Sequence, residues 1–315
     1  MNHSDIDALR GKRTLLAAST GGHLAQLARL SGKLGVSPDS HWITFDHPQS
    51  RSLLAGQSVT FIPYIAPRDY KNLFRSFAPV REVLKNHELE AAVSTGAGIA
   101  LGVLPTAKLM GREAVYIESI SRFDGPSLSG RILARVPGIG LYTQHRAWSS
   151  ERWKFKYSVL DDYVPTSKTS KVDAQRLRVF VTLGTIKPYR FDRLVDRLLQ
   201  ILPTNCEITW QTGVTERTDL PGDVHDTVSA EMFERFVKES DVVVSHAGVG
   251  SAMQILDLGK CPVLVPRQSA FGEHVDDHQA QIARDLGEKG LAVSVTAGAI
   301  DFDDLVSALQ VSVSA

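Results

Sequence analysis

The feature that most narrows what this chain can fold into lies between Val242 and Val265. An apolar run, Val242-Val243-Val244, delivers the turn His246-Ala247-Gly248-Val249-Gly250-Ser251; a helix-like segment follows, and a second apolar run spans Pro262 to Val265. Strand, glycine turn, helix, strand is the repeat of a parallel sheet covered by helices. The glycines let backbone N–H groups approach an oxygen-rich ligand, and the helix start adds positive partial charge. A diphosphate suits that place. The polar run Glu273-His274-Val275-Asp276-Asp277-His278-Gln279 arrives just after the next strand, where open α/β sheets collect ligands. A phosphate cradle beside a sugar-sized polar cluster reads as a nucleotide-sugar site.

A length of 315 residues favours two domains over one. No run approaches the roughly 18 apolar residues of a membrane span, and the N-terminus lacks the apolar core of a signal peptide. Cys206 and Cys261 show no ligand spacing, so buried thiols in a reducing cytoplasm are expected. The zero net charge hides an asymmetry: residues 1–172 hold 22 Lys+Arg against 14 Asp+Glu, and residues 173–315 hold 13 against 21. A basic first half suits an anionic surface or a phosphate-bearing acceptor, or complements the acidic half. Nothing calls for a nucleic-acid partner.

Both halves alternate short apolar runs with longer amphipathic segments. In the first, strands are expected at 14–18, 41–45, 58–62, 91–94 and 114–117, with a helix over 24–34 in which Leu24, Leu27, Leu30 and Leu34 share a face. The second restarts with a strand at 178–182 and a helix over 191–199, then strands at 207–211, 242–245, 262–265 and 291–294. The polar stretch with Pro165 separates them, giving domains at 1–160 and 176–315 joined by a linker at 161–175. Two nucleotide-binding-type domains with parallel sheets facing across a cleft is the economical fold.

Three glycine turns follow expected strands: Ser19-Thr20-Gly21-Gly22-His23, Ser94-Thr95-Gly96-Ala97-Gly98 and the one at 246–251; Leu183-Gly184-Thr185 is a shorter fourth. One such turn is weak evidence, whereas three in matching positions point to phosphate contacts. His23, at a helix start, is the candidate base for an attacking hydroxyl, or else caps the turn or binds acceptor phosphate. Glu118 is the second candidate base, or a partner for Arg122 or a helix start. His274 and His278 lie four apart among acids, yet the H-E-x-x-H order of zinc sites is absent; no metal and no cofactor is expected. The segment 69–87 sets Leu73, Phe77, Val80 and Leu84 at helical spacing among Lys71, Arg75, Arg81 and Lys85. It either packs on the core or rests on an anionic membrane, with Phe74, Phe77, Trp148 and Trp153 reaching the interface.

The C-terminal half resembles the catalytic, donor-binding subunit of the two-subunit dolichol-linked GlcNAc transferases and their bacterial exopolysaccharide counterparts. The matching residues are 179–185, Trp210 to Gly213, Ser245 to Ser251, Pro266-Arg267 and Glu273 to Gln279. The N-terminal half resembles the membrane-recruiting partner subunit through 19–27, Ser94 to Gly98, Tyr116 to Ser119, Arg122 and Ser127 to Gly130. Both are distantly similar to the peptidoglycan lipid-linked GlcNAc transferase. The resemblance implies the GT-B form of α/β fold and an inverting, metal-independent hexosyltransferase moving glucuronic acid, galactose or GlcNAc from a UDP-sugar donor to a polyprenyl-diphosphate-linked acceptor. It implies donor contacts from Gly184, Thr185, His246, Gly248, Gly250, Ser251, Gln254, Arg267, Glu273, Asp277, His278 and Gln279. Acceptor contacts would come from Gly21, Gly22, Thr95, Gly96, Gly98 and Arg122. Gln254 stands where the relatives often carry a ribose-binding glutamate. The implied place of work is the cytoplasmic face of the plasma membrane, held peripherally. Two alternatives stay open: a UDP-sugar-binding partner of another transferase, and a UDP-sugar epimerase.

Overall fold

A computed structural model describes residues 4–65, 70–168, 176–275 and 277–314. The chain divides into two compact units, Met1–Val159 and Leu160–Ala315.

The first unit is built on seven parallel strands, β1 (Thr14–Ala18), β2 (His41–Phe45), β3 (Val59–Ile62), β4 (Ala91–Gly96), β5 (Glu113–Ile117), β6 (Gly140–Thr143) and β7 (Lys154–Phe155), in the order β3-β2-β1-β4-β5-β6-β7. Helices α1 (Gly22–Leu34), α2 (Pro48–Leu53), α3 (Tyr70–Asn86), α4 (Ile99–Leu109) and α5 (Leu128–Leu133) connect them. β1 and β4 are buried at every position, which is why they read as continuous apolar runs rather than alternating ones. The strand order reverses between β1 and β4, the switch point where such sheets bind ligands beyond their carboxyl ends.

In α3 the apolar stripe faces inward: Val80, Val83 and Leu84 belong to the core, and Leu73 packs against it. Lys71, Arg75, Arg81 and Lys85 are exposed on the other side, with Phe74 68% exposed. Trp148 and Trp153, expected at a membrane interface, instead pack on each other with ring centroids 5.4 Å apart. Trp153 belongs to the core, Trp148 lies against it, and the Trp148 indole N–H donates to the Arg122 carbonyl at 2.8 Å. The apolar area of an indole outweighs its interfacial preference once a core is within reach.

The second unit repeats the plan. After β8 (Val164–Ser167) come β9 (Arg178–Thr182), α6 (Asp192–Ile201), β10 (Glu207–Gln211), β11 (Asp223–His225), α7 (Ala230–Glu239), β12 (Val242–Ser245), α8 (Val249–Asp257), β13 (Val263–Leu264), α9 (His278–Glu288), β14 (Val293–Ser294), α10 (Phe302–Leu309) and β15 (Val311–Ser314). Six parallel strands run β11-β10-β9-β12-β13-β14, so the switch point falls between β9 and β12. The expected linker differs in its first part. Residues 164–167 pair antiparallel with β15, and Tyr163 donates to the Asp257 carboxylate at 2.8 Å, so this stretch is packed into the second unit. Residues 169–175 of that linker lie outside the described residues.

Candidate functional site

In the first unit the turns after β1, β4 and β5 surround a cavity of about 370 Å³. Its lining includes the polar Ser19, Thr20, His23, Glu118, Ser119, Ser121, Arg122 and Ser127 and the apolar Phe45, Ile65, Leu101, Leu128 and Ile132. Gly21 has φ +85 and its N–H donates to the Gln49 side chain at 2.8 Å; Gly22 opens α1. The β1 and β4 turns are stitched together: Ser19 N–H donates to the Gly96 carbonyl at 2.9 Å, and the Thr95 hydroxyl to the His23 carbonyl at 2.8 Å. Gly96 has φ +105, a backbone conformation that strains any side chain, and a Cβ there would also lie a tight 3.1 Å from the His23 ring. Gly98 caps α4 and lines the cavity.

His23 Nδ1 lies 2.6 Å from the Thr95 carbonyl oxygen. A carbonyl only accepts, so Nδ1 carries the proton and Nε2 keeps its lone pair. Burial pushes His23 below the ordinary imidazole value; the Thr95 hydrogen bond opposes the shift and the Arg122 charge adds to it. The ring is thus held neutral and basic at its second nitrogen.

Glu118 also lines the cavity, but its carboxylate is occupied. Oε1 accepts from the Tyr116 hydroxyl at 3.0 Å and Ser119 N–H at 3.1 Å, and Oε2 from Ser127 N–H at 2.8 Å and Ser127 Oγ at 3.0 Å. Ser127 in turn caps α5 through Gly130 N–H at 3.0 Å. Of the three readings open to Glu118, the geometry favours the anchor of a helix start. Tyr116 and Ser127 lie in the stretches that carry the resemblance but had no role assigned from sequence; the N-cap spacing from Ser127 to Gly130 is the local signal for the second.

In the second unit the turns after β9, β12 and β13 converge on His246, which is buried with Nδ1 3.3 Å from the Thr182 carbonyl. Its ring is closed in by two glycines. A Cβ on Gly184, at φ +81, would sit 2.7 Å from it, and one on Gly248 would collide with Nε2. Burial first, then the charge of Arg267, lowers His246 to about 3, so it is a neutral packing group between the turns. Gly248 is the N-cap of α8 and gives it no side-chain cap, leaving first-turn N–H groups to a ligand. Gly250 and Ser251 lie in that first turn and Gln254 half-buried further along α8; Thr185 is exposed just beyond Gly184.

In the polar run after β13, three of the four expected donor contacts, Glu273, Asp277 and Gln279, are engaged within the loop itself. Glu273 is 5% exposed and pairs bidentately with Arg193, at 2.8 and 3.1 Å, while accepting Gln268 N–H at 3.0 Å. Asp277 accepts both the N–H and the hydroxyl of Ser269, at 2.8 and 2.9 Å. Gln279 accepts Arg267 N–H at 3.0 Å. These carboxylates and this amide oxygen shape the loop itself; His278, 3.3 Å from the Gln281 side chain, opens α9. Asp276 lies outside the described residues. Arg193 was invisible to sequence reasoning because its partner is 80 positions away.

Residues 178–310 match the sequence model of the glycosyltransferase family 28 C-terminal domain. The chain is 25% identical over 326 residues to the UDP-N-acetylglucosamine--N-acetylmuramyl-(pentapeptide) pyrophosphoryl-undecaprenol N-acetylglucosamine transferase of Shewanella sp. (strain ANA-3), covering 95% of this chain and 88% of that one. It is 26% identical over 303 residues to the protein of the same name from Synechococcus sp. (strain RCC307), covering 90% and 82%. Among solved structures, Acinetobacter baumannii MurG aligns at TM-score 0.57 with 16% identity, over 93% of this chain and 88% of that one. The spinosyn forosaminyltransferase SpnP aligns at TM-score 0.59 with 13% identity, over 95% and 90%. The fold is the GT-B form of α/β architecture, and the chain is a glycosyltransferase.

Proposed function

We propose that the chain moves a hexose, with inversion and without a metal ion, from a UDP-sugar to a polyprenyl-diphosphate-linked saccharide, in exopolysaccharide or capsule synthesis. The observation that carries this reading is the pairing of two switch-point sites of one plan. The turns at 19–23 and 94–98 stand beyond β1 and β4, and those at 183–185 and 246–251 beyond β9 and β12. The first unit takes the acceptor. Its cavity lining combines hydroxyls and Arg122, suited to a diphosphate-linked sugar, with apolar side chains suited to the start of a prenyl chain. The second unit takes the donor, with the diphosphate at the start of α8 and the sugar toward His278.

In the reaction His23 Nε2 accepts the proton of the attacking hydroxyl, a role suited to a neutral imidazole whose other nitrogen is fixed by a carbonyl. Glu118 serves by holding α5 at the cavity edge. No helix of the described residues is long and apolar enough to cross a membrane. We therefore place the protein peripherally on anionic lipid at the inner face of the plasma membrane, through the basic side of α3. Among the donors, the names of the curated relatives favour N-acetylglucosamine, and the resemblance of the run 273–279 to exopolysaccharide enzymes favours glucuronic acid or galactose.

The test is transfer itself. The folded protein is incubated with UDP-GlcNAc, UDP-glucuronic acid and UDP-galactose and with short-chain prenyl-diphosphate saccharides. Sugar transfer from one donor is expected, and it continues in the presence of a chelator. Product formed from a donor alone signals an epimerase. Absence of transfer across the panel refutes the reading.

A further inference from the structure

The buried face of α1 carries Leu24, Leu27, Leu30 and Leu34 and, among them, one amide, Gln26, which is 1% exposed. A buried amide is costly unless its hydrogen bonds are made, and an apolar side chain of like shape would fill the place without that demand. Among the described residues the bonds of Gln26 converge on the turn after β5. Its amide N–H donates to Ser119 Oγ at 3.2 Å, and its oxygen accepts Ile120 N–H and the Gln144 side-chain N–H, both at 2.9 Å. A backbone N–H only donates, so the Ile120 bond fixes which way the Gln26 amide is turned.

The same turn has further holds. Gln144 donates to the Glu118 carbonyl at 3.0 Å, His145 Nε2 lies 2.6 Å from the Ile120 carbonyl oxygen, and the Trp148 indole holds the Arg122 carbonyl. Those three side chains follow β6; of the four, only Gln26 stands on α1. The turn delivers Ser119, Ser121 and Arg122 to the cavity that His23 also lines. Gln26 comes three positions after His23, on the same face of the helix. The start of α1 is thus joined to the turn after β4 through His23 and Thr95, and to the turn after β5 through Gln26. The Arg122 charge bears on the His23 imidazole, so the spacing of these two groups matters to the histidine as well as to a bound anion.

We propose that Gln26 is a positioning residue of the transfer reaction: its amide keeps the 119–122 turn, and Arg122 with it, in register with His23, so that the acceptor's diphosphate and its attacking hydroxyl are seated together. This rests on the acceptor-site reading above. Gln26 does not line the cavity; it acts through the turn. A misplacement of about 1 Å between reacting groups costs about 10²-fold in rate, which sets the size of the effect.

Steady-state kinetics test it, with the UDP-sugar and short-chain prenyl-diphosphate saccharide that the wild type turns over in the panel above. Gln26→Met keeps the length and removes the hydrogen bonds. Its kcat/KM for the acceptor is expected to fall about 100-fold, through a higher acceptor KM and a lower kcat, with donor KM and UDP affinity within about twofold of wild type. Gln26→Glu should recover about tenfold of that loss, because its oxygens accept from Ile120 and Gln144 while the Ser119 hydroxyl turns to donate. Should the Met variant fail to fold, Gln26→Asn, whose amide is one methylene short of the turn, carries the same expectation. Wild-type kcat and acceptor KM in the Met or Asn variant overturn the proposal. So does a loss of kcat that follows the folded fraction with both KM values unchanged, which marks Gln26 as an ordinary core bond, and so does a Glu variant no better than Met. Wild-type protein that transfers no sugar refutes the acceptor-site reading itself.

Discussion

Acid should loosen the second unit through His246. The imidazole is buried between two glycine turns and its value is lowered from 6.5 to about 3. The folded state therefore excludes a proton that the unfolded chain accepts at its ordinary value. The stability this provides is fully present above pH 6.5 and is lost progressively as pH falls from 6.5 toward 3. The slope is about 1.4 kcal/mol per pH unit for one such group, and over the whole window the cost reaches roughly 5 kcal/mol. His246→Asn removes the titrating group while keeping a polar side chain that can reach the Thr182 carbonyl. Urea unfolding at half-unit steps from pH 7 to 4 measures the effect; Trp210 reports the second unit, whereas Trp42, Trp148 and Trp153 belong to the first. The variant is expected to be less stable at pH 7, because the ring's packing is lost, but to fall by about 1.4 kcal/mol per unit less than wild type between pH 6 and 4. Equal slopes refute the reasoning, since they mean that His246 titrates alike in both states.

His23→Ala should reduce turnover by roughly 10²- to 10⁴-fold and leave UDP affinity unchanged; unaltered turnover removes His23 from the chemistry. Wild-type turnover should rise with pH and level off below neutrality, because burial places His23 below the ordinary imidazole range. Glu118→Gln turns an amide N–H toward the Ser127 donors and should cost about 2–3 kcal/mol of first-unit stability, read in urea melts; an unchanged midpoint shows that the carboxylate does not anchor α5. Replacing Lys71, Arg75, Arg81 and Lys85 together by Gln should abolish salt-sensitive flotation with anionic vesicles while sparing UDP binding. Persistent flotation at low salt assigns docking to another face.

The central strands 41–45, 178–182, 207–211 and 242–245 have the expected bounds, most plainly 242–245, where burial at every position leaves an apolar run. The glycine turns were legible for a related reason, since φ +105 at Gly96 and φ +81 at Gly184 leave few other residues possible. The edges were not. β7 is two residues long and β11 three, too short to show a period, and β8 reads as polar linker because all four of its positions are exposed. Side-chain partners were the least legible. Glu273 looks like a sugar ligand until Arg193 arrives from α6, and Glu118 looks like a base until Tyr116 and Ser127 fill its oxygens. Sequence gives the type of a polar group; only the fold decides whether its lone pairs remain to be used.

The account's central claim is that the nucleotide sits in the second unit, on the turns after β9 and β12. Hydrogen–deuterium exchange with and without UDP measures this directly. The account predicts slowed exchange at 183–185 and 246–251, with the turns at 19–23 and 94–98 unchanged. Slowed exchange at 19–23 and 94–98 with none at 246–251 contradicts it and moves the donor to the first unit.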